Sequence, residues 1–166
     1  MNREEQVLTY LKHQGIQYEI IRHKPIFTIA ELNTMHDYVD KEKVAKNLFL
    51  RNGSGKEHYL VLVRSDKKVN LKDLRQQLGC SRLSFASEER LKKHLNITKG
   101  SVSPLGIIND ATRSIPVLID EDLKDAMKIG VHPNKNTATL WMTHAAIVRA
   151  VTAHGNEVVH VSIPVE

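Results

Sequence analysis

The lysine in the segment VAKNLFLRN (residues 44–52) stands where a charge needs an explanation. If the segment is a strand, Lys46 lies on the same face as Leu48 and Leu50, because successive side chains alternate between the two faces. An ammonium in such apolar company is costly unless an acceptor or a counter-charge compensates it. The pattern leaves two interpretations: an edge lysine whose stem reaches water, which alternation alone favours, or a cation held in a site.

A second segment that could carry chemistry is the loop GSVSPLG, from Gly100 to Gly106. The two glycines allow backbone angles that other residues avoid, and Pro104 stiffens the turn. Such a loop can direct backbone N–H groups at a ligand carbonyl or phosphate. Most loops of this composition are only turns, so the loop alone indicates a site weakly.

The third segment is GVHPNKNTATL, residues 130–140, in which His132 ends a predicted strand and Pro133 halts it. Three polar residues follow in a short connection: Asn134, Asn136 and Thr137. Side chains at the end of a strand are well placed to bind a substrate, but Asn and Pro are also common in any turn.

Other chemistry has little support in the sequence. The nine histidines show neither H-E-x-x-H nor a Cys/His cluster, so no metal site is expected. Neither a Walker A nor a G-x-G-x-x-G motif occurs, and no cofactor is expected. Cys80 has no identifiable base and is interpreted as a small hydrophobe. Asp110 and Asp120 are each either a cap or a site group, and the sequence does not decide between them.

The composition is that of a soluble globular protein. A chain of 166 residues, 41% hydrophobic and 26% charged, fits one compact domain over residues 1–166. No apolar run approaches the ~20 residues of a membrane span. The amino terminus, MNREEQVL, resembles neither a signal nor a transit peptide, and a single cysteine allows no internal disulfide. We therefore expect a cytoplasmic protein without a membrane partner.

The charge is moderately basic, with 24 Lys and Arg against 19 Asp and Glu. The excess lies in runs such as SDKKVNLK (65–72) and RLKKH (90–94), which are interpreted as solvated faces. A basic protein is also predisposed to bind polyanions through phosphate contacts. Aromatic residues make up only 5% and no RNP-like motif is present, so a general RNA-binding module is not favoured.

The first half of the chain predicts a helix, a strand, a short helix, a hairpin and another helix. Asn2 and Glu5 have capping-box spacing for the first helix, and Gly15 follows its end. The later elements are YEIIR (18–22), a short helix around 29–37 begun by T-x-x-E, strands VAKNLFLR (44–51) and HYLVLVR (58–64) joined by NGSGKE, and helix LKDLRQQL (71–78) between Asn70 and Gly79.

The second half interleaves helices and strands irregularly. The predicted elements are strand RLSFA (82–86), helix EERLKKHL (88–95) capped by Ser87, a loop at 100–110, strand SIPVLID (114–120), helix EDLKDAM (121–127), strands around 128–132 and 137–142, helix HAAIVRAVTAH (144–154) capped by Thr143, and strand EVVHVSI (157–163). This order favours an α/β domain with a mixed, mostly antiparallel curved sheet surrounded by helices over a doubly wound parallel fold.

Six segments, taken in order, resemble the free-standing aminoacyl-tRNA editing proteins related to the editing domain of prolyl-tRNA synthetase. They are RHKPIFTIAEL (22–32), VAKNLFLR (44–51), HYLVLV (58–63), RLSFASEERL (82–91), KGSVSPLGIIND (99–110) and HPNKNTATL (132–140). The likeness covers residues 18–163, and the resemblance implies the fold of that editing domain. Any one segment is weak, but the ordered set is specific.

Within that family, the pair V-S-P-x-G-x-x-N-D and H-P-N-x-N-T-A-T resembles the trans-acting alanyl-tRNA(Pro) deacylases. The cysteinyl-tRNA(Pro) branch usually carries G-I-S-P in the loop and a glycine-rich segment in place of HPNKNT. One departure is Leu105, which stands where the alanyl branch often has Phe. This departure concerns the dimensions of the pocket more than the reaction.

The resemblance assigns roles residue by residue. Lys46 matches the key lysine of the family, Asn47 its neighbour in the site, and residues 100–104 the loop that surrounds the aminoacyl group. The residues implied in catalysis are Lys46, Gly100 and Ser101. Those implied in substrate binding are Phe27, Thr28, Asn47, Val102, Ser103, Pro104, His132, Asn136 and Thr137.

The implied reaction is hydrolysis of the ester that joins alanine to the terminal adenosine of tRNA(Pro), without a cofactor. The implied partner is the acceptor end of mischarged tRNA(Pro), and prolyl-tRNA synthetase is a further candidate. Two alternatives stay open: deacylation of Cys-tRNA(Pro) or a broader set of aminoacyl-tRNAs, and a non-catalytic module that binds the 3′ end of tRNA. The sequence does not indicate an oligomeric state.

Overall fold

A computed structural model describes residues 1–24 and 45–164 of the chain. The predicted helix around 29–37 and the predicted site residues Phe27 and Thr28 lie outside these ranges. The described helices are α1 (Arg3–His13), α2 (Leu71–Leu78), α3 (Glu88–Leu95) and α4 (His144–His154), with 3-10 helices at Pro104–Asn109 and Glu121–Leu123. The described strands are β1 (Glu19–Arg22), β2 (Ala45–Arg51), β3 (His58–Arg64), β4 (Ser84–Phe85), β5 (Val117–Asp120), β6 (Ile129–Val131), β7 (Ala138–Met142) and β8 (Val158–Val161).

The four described α-helices begin at the predicted caps. Asn2 and Glu5 form the predicted capping box of α1, with both reciprocal hydrogen bonds present. Ser87 accepts the Arg90 N–H at the start of α3, and Thr143 accepts the Ala146 N–H at the start of α4. These side chains satisfy N–H groups that have no partner inside the helix, which is why they determine where each helix begins.

The strands form two sheets instead of the one sheet that the sequence predicted. One sheet has the order β4-β2-β3-β5-β8, and the other the order β1-β7-β6. The predicted hairpin is confirmed, since β2 and β3 pair antiparallel from Ala45–Arg64 to Arg51–His58. Among the pairings of the described strands, only β3–β5 and β5–β8 are parallel, so the mixed and mostly antiparallel α/β class is confirmed.

Both faces of the five-stranded sheet are covered, which explains why its strands are apolar on both sides. In β3, Leu60 and Leu62 belong to a larger core cluster, whereas Val61 and Val63 belong to a smaller one. The larger cluster includes residues of α1, α4, the 3-10 helix at 104–109 and the three-stranded sheet. The smaller cluster packs against α2. We refer to these as the larger and the smaller core cluster.

The predicted helix EDLKDAM is wrong, because only Glu121–Leu123 form a single 3-10 turn. Asp125 has a φ of +63°, which no α-helix can continue, and the Ala126 carbonyl accepts the His144 N–H at 2.8 Å. The predicted strand RLSFA shortens to Ser84–Phe85, and the predicted loop at 100–110 contains a 3-10 helix. None of the described helices is both long and apolar enough to cross a membrane.

Candidate active site

The loop Gly100–Pro104 connects α3 to the 3-10 helix at 104–109 and has a defined backbone path. Gly100 has a φ of +88°, a conformation that favours glycine over other residues. The Ser101 N–H donates to the Thr98 carbonyl at 3.1 Å, and Ser103 Oγ accepts the Leu105 N–H at 3.2 Å. The cap at Ser103 therefore determines where the loop ends and the 3-10 helix begins.

Close packing holds the base of this loop. Ser101, Ser103 and Pro104 are buried, and Val102 is half-buried against the larger core cluster. An added Cβ at Gly106 would lie 2.4 Å from Ile97 Cδ1, so any other residue there would displace the buried Ile97 side chain. Burial and these hydrogen bonds therefore define the path of the loop backbone.

Asn134 joins the loop to the segment that follows β6. Its Nδ2 donates to the Leu105 carbonyl at 3.3 Å, and the side chain is only 1% exposed. Its Oδ1 is buried without a hydrogen-bond partner among the described residues. The sequence pointed to both segments but not to Asn134 as their link. The signal available in the sequence was an Asn directly after Pro133, a residue type that turns favour and that adopts a left-handed φ of +60° here.

His132 is held as a neutral imidazole near the end of β6. Its Nδ1 lies 3.0 Å from the Ala138 carbonyl, and because a carbonyl only accepts, Nδ1 carries the proton. Desolvation lowers the pKa of His132, an effect that the Ala138 contact partly opposes. Nε2 is therefore free to accept a hydrogen bond. The ring of His23 lies 6.4 Å away, and its Nε2 is 2.8 Å from Thr139 Oγ1.

The other polar residues predicted in this segment lie beside His132. The Thr137 carbonyl accepts the His23 N–H at 3.0 Å, so Thr137 helps to hold the end of β1 against β7. Asn136 is buried. The structure thus brings together the predicted residues 132, 136 and 137 and, through Asn134, links them to the predicted loop.

Lys46 is half-buried in β2, and its Nζ donates to the Lys67 carbonyl. Desolvation lowers the pKa of Lys46, and the attraction of Asp66 opposes that effect. An ammonium has three donors, and within residues 1–24 and 45–164 only the Lys67 carbonyl accepts one of them. The other two N–H bonds can therefore reach an anionic ligand.

Strand alternation places Lys46 and Asn47 on opposite faces of β2. Asn47 shares its face with Ala45 and Phe49, which belong to the larger core cluster that also contains Leu105. Lys46 lies with Leu48 and Leu50 on the face of the smaller core cluster. The Asn47 Oδ1 is buried and unpaired, and β2 packs against β6, which leads to His132. Asn47 is thus on the loop's side of the sheet, while no described hydrogen bond joins Lys46 to the loop.

The structure also shows the roles of Asp110 and Asp120, which the sequence left open between a cap and a site group. Asp110 accepts the Ile115 N–H and Asn156 Nδ2, each at 2.9 Å, and thereby holds a turn. Asp120 caps the 3-10 helix at 121–123 and pairs with Lys67. The prediction of a solvated face at 65–72 is wrong for Lys67, which is 1% exposed. Within the described ranges, no three His, Cys, Asp or Glu side chains are grouped to hold a metal ion.

The sequence profile of the aminoacyl-tRNA editing domain family matches residues 23–150, which include both loop segments and Lys46. The chain belongs to this family. It is 40% identical over 156 residues to the prolyl-tRNA editing protein ProX of Acetoanaerobium sticklandii, covering 94% of each chain. It is 32% identical to the prolyl-tRNA synthetase associated domain-containing protein 1 of Danio rerio, covering 84% of this chain and 76% of that one.

A solved structure of a candidate trans-editing enzyme for prolyl tRNA synthetase has the same fold, with a TM-score of 0.76 at 19% identity over 99% of both chains. Membership of the editing family confirms the resemblance to prolyl-tRNA editing proteins and the expectation of an aminoacyl-tRNA hydrolase. The amino acid removed and the roles of individual site residues stay predictions.

Replacing Gly100 by alanine is expected to lower the rate of aminoacyl-tRNA hydrolysis. A side chain at a φ of +88° is strained, so the loop must shift its N–H groups. Because small displacements of catalytic groups reduce rates strongly, we expect a loss of roughly 10- to 100-fold in kcat. Initial rates of deacylation measure this loss.

Gly79→Ala is the matched control, because Gly79 has a φ of +65° at the end of α2 with no atom within 4 Å of an added Cβ. It introduces a comparable backbone strain away from the loop. Hydrolysis by this variant should stay within about twofold of the unsubstituted protein. An equal loss in both variants would mean that strain in general, and not the position of the loop, lowers the rate.

Proposed function

We propose that this chain is a trans-editing hydrolase that deacylates mischarged tRNA(Pro), with Ala-tRNA(Pro) as its substrate. The observation that carries the proposal is the Asn134–Leu105 hydrogen bond, which connects the segment at 132–137 to the 3-10 helix directly after the loop at 100–104. The similarity to a prolyl-tRNA editing protein over 94% of the chain supports tRNA(Pro) as the carrier.

The reaction requires attack of water on an ester that is already activated. The tetrahedral intermediate carries a negative oxygen, and the N–H groups of Gly100, Val102 and Ser103 are proposed to stabilise it. Pro104 has no N–H, and the Ser101 N–H already donates to the Thr98 carbonyl. One such donor contributes about 2.7–4 kcal/mol in other hydrolases. In the family that the chain resembles, the ribose 2′-hydroxyl helps to activate the water, so the proposal assigns no protein group as general base.

The charged and polar side chains have distinct roles in this proposal. Lys46 lies on the face of β2 opposite the loop, so its ammonium is proposed to attract the phosphate of the terminal adenosine. The alternative role, stabilising the developing oxyanion, requires a substrate that reaches both faces of β2. His132 is neutral, and its Nε2 can accept a hydrogen bond from a ribose hydroxyl or from the amino group of the substrate. Asn47 Oδ1 and Asn134 Oδ1 are buried acceptors without partners in the described chain, and an α-ammonium is a donor that fits them.

The selectivity follows from the size of the amino-acid side chain. Apolar contacts distinguish substrates that differ by a methylene by only ~10- to 200-fold, so a synthetase for proline benefits from a second site that removes alanine. Val102 and Pro104 of the loop, with Phe27 and Thr28, are proposed to line the pocket. Prolyl-tRNA synthetase is proposed as a partner that releases the mischarged tRNA.

A panel of purified Ala-, Cys- and Pro-tRNA(Pro) tests this proposal. We expect kcat/KM for Ala-tRNA(Pro) to exceed that for Pro-tRNA(Pro) by at least about 100-fold, within the range of an apolar pocket. Faster hydrolysis of Cys-tRNA(Pro) would transfer the assignment to the cysteinyl branch. Equal hydrolysis of all three would contradict selective editing, and tight binding without release of amino acid would indicate a non-catalytic module.

A further inference from the structure

Lys67 is a buried lysine whose ammonium is fully satisfied by hydrogen bonds. Its side chain is 1% exposed. Its Nζ donates to Asp120 Oδ1 at 3.0 Å, to Asp122 Oδ2 at 2.5 Å and to the Ile163 carbonyl at 2.6 Å. Three acceptors match the three donors of an ammonium, so each N–H bond has a partner and the orientation of the side chain is fixed.

Asp120 is held as firmly as its partner. Its side chain is 0% exposed at the end of β5, and its Oδ1 also accepts the Asp122 N–H at 3.0 Å. The Arg64 N–H lies 3.4 Å from its Oδ2. The Lys67–Asp120 pair therefore ties the turn after β3 to the end of β5 and, through Ile163, to the segment after β8.

The backbone of Lys67 connects the buried pair to Lys46. Its N–H donates to the Arg64 carbonyl at 3.1 Å, and its own carbonyl accepts the Nζ of Lys46. Asp66, on the same turn, is paired with Arg64 at 2.5 Å and attracts the Lys46 ammonium. Residue 67 is thus fixed through its side chain, its N–H and its carbonyl.

We propose that the buried Lys67–Asp120 pair positions the ammonium of Lys46 for the editing reaction. Apolar residues in its place would often be equally stable, since burying two charges costs about what their attraction returns. Apolar packing does not fix the orientation of the side chain at residue 67 as three directional hydrogen bonds do. The inference rests on the proposed role of Lys46 in hydrolysis, and Lys67 and Asp120 act only through that residue.

The test replaces both charges together, Lys67→Met with Asp120→Leu, so that no buried charge is left unpaired. We expect kcat for deacylation to fall at least about tenfold with KM within about threefold, because a misplaced ammonium stabilises the transition state less. The matched control is Leu74→Ala, a core truncation at 1% exposure in the smaller core cluster that removes no charge. It should destabilise the fold while kcat stays within about twofold.

The same pair of substitutions in a Lys46→Ala background separates positioning from a general structural effect. If the pair acts through Lys46, it changes the residual single-turnover rate less than about twofold there, whereas an independent structural effect lowers both rates by the same factor. Equal factors, or an unchanged kcat in the first background, would overturn the inference alone. An unchanged rate for Lys46→Ala itself would instead contradict the proposed role of Lys46. Should the double substitution prevent folding, Asp120→Asn is expected to lower kcat by about threefold in the first background only.

Discussion

Lys46→Ala is expected to lower kcat/KM for deacylation of Ala-tRNA(Pro) by roughly 100- to 1,000-fold, the effect of removing one donor to a developing oxyanion. The ammonium is half-buried, so its charge is screened less than that of a surface lysine. Two of its N–H bonds have no acceptor in the described chain. A loss in kcat would assign the charge to the oxyanion, whereas a rise in KM with kcat unchanged would assign it to the adenosine phosphate.

Lys56→Ala is the control for net charge, because Lys56 is exposed in the connection between β2 and β3, at the far end of β2 from Lys46. The two variants lose the same formal charge. Hydrolysis by Lys56→Ala should stay within about threefold of the unsubstituted protein, as for one screened phosphate contact. A comparable loss in both variants would mean that Lys46 contributes only to the general attraction of tRNA.

The second large effect concerns acid stability, which is expected to depend on His58. Burial, followed by the charges of His94 and Arg90, lowers the pKa of His58 to about 4. Its Nε2 accepts a hydrogen bond from Arg90 Nη1 at 3.1 Å, and its ring stacks on Phe49 at 5.3 Å. The native state therefore holds this imidazole neutral.

In the unfolded chain the same imidazole titrates near pH 6.5, so the unfolded state binds a proton that the folded state refuses. The free energy of unfolding is then unaffected by His58 above about pH 6.5 and decreases as the pH falls toward 4. Between these values the loss from this one group amounts to about 3 kcal/mol. Urea unfolding at a series of pH values measures it.

His58→Gln should remove that part of the pH dependence, because a glutamine oxygen can accept from Arg90 and does not titrate. The remaining slope comes from His94, His132 and His144, whose pKa values are also lowered, and, as the pH approaches 4, from the lowered pKa values of Asp66, Asp110 and Asp122. The control His13→Gln replaces an exposed histidine and should keep the original slope. If His58→Gln kept it as well, the native state would bind a proton at His58 as readily as the unfolded chain does, and burial would not lower the pKa of His58.

The sequence predicted the helices well because their starts depend on local hydrogen bonds. Asn2, Ser87 and Thr143 each accept a hydrogen bond from the N–H group three residues further on, and this short spacing is visible in the sequence. The sheets were harder, since the choice of β7 as the partner of β1 joins residues more than 100 positions apart. Alternation shows that a strand is covered on both faces, but it does not show which strands share a sheet.

The site was predictable in its parts and not in its connections. The loop at 100–104 and the segment after β6 stood out by glycine, proline and asparagine content. Their link through Asn134 depends on a backbone carbonyl, which no residue type reveals. Lys67 escaped detection because a charge run is normally solvated, and only the partners Asp120 and Asp122, more than 50 residues later, explain its burial.

The attraction between Lys46 and Asp66 has a consequence for an enzyme that handles activated esters. An uncharged amine next to an aminoacyl ester is a competing nucleophile, and its attack would leave the amino acid attached to the protein as a stable amide. Burial lowers the pKa of Lys46 and so favours the uncharged amine, whereas the attraction of Asp66 favours the ammonium, which has no lone pair for that attack. Asp66 therefore opposes acylation of the lysine, so that the amino acid leaves to water.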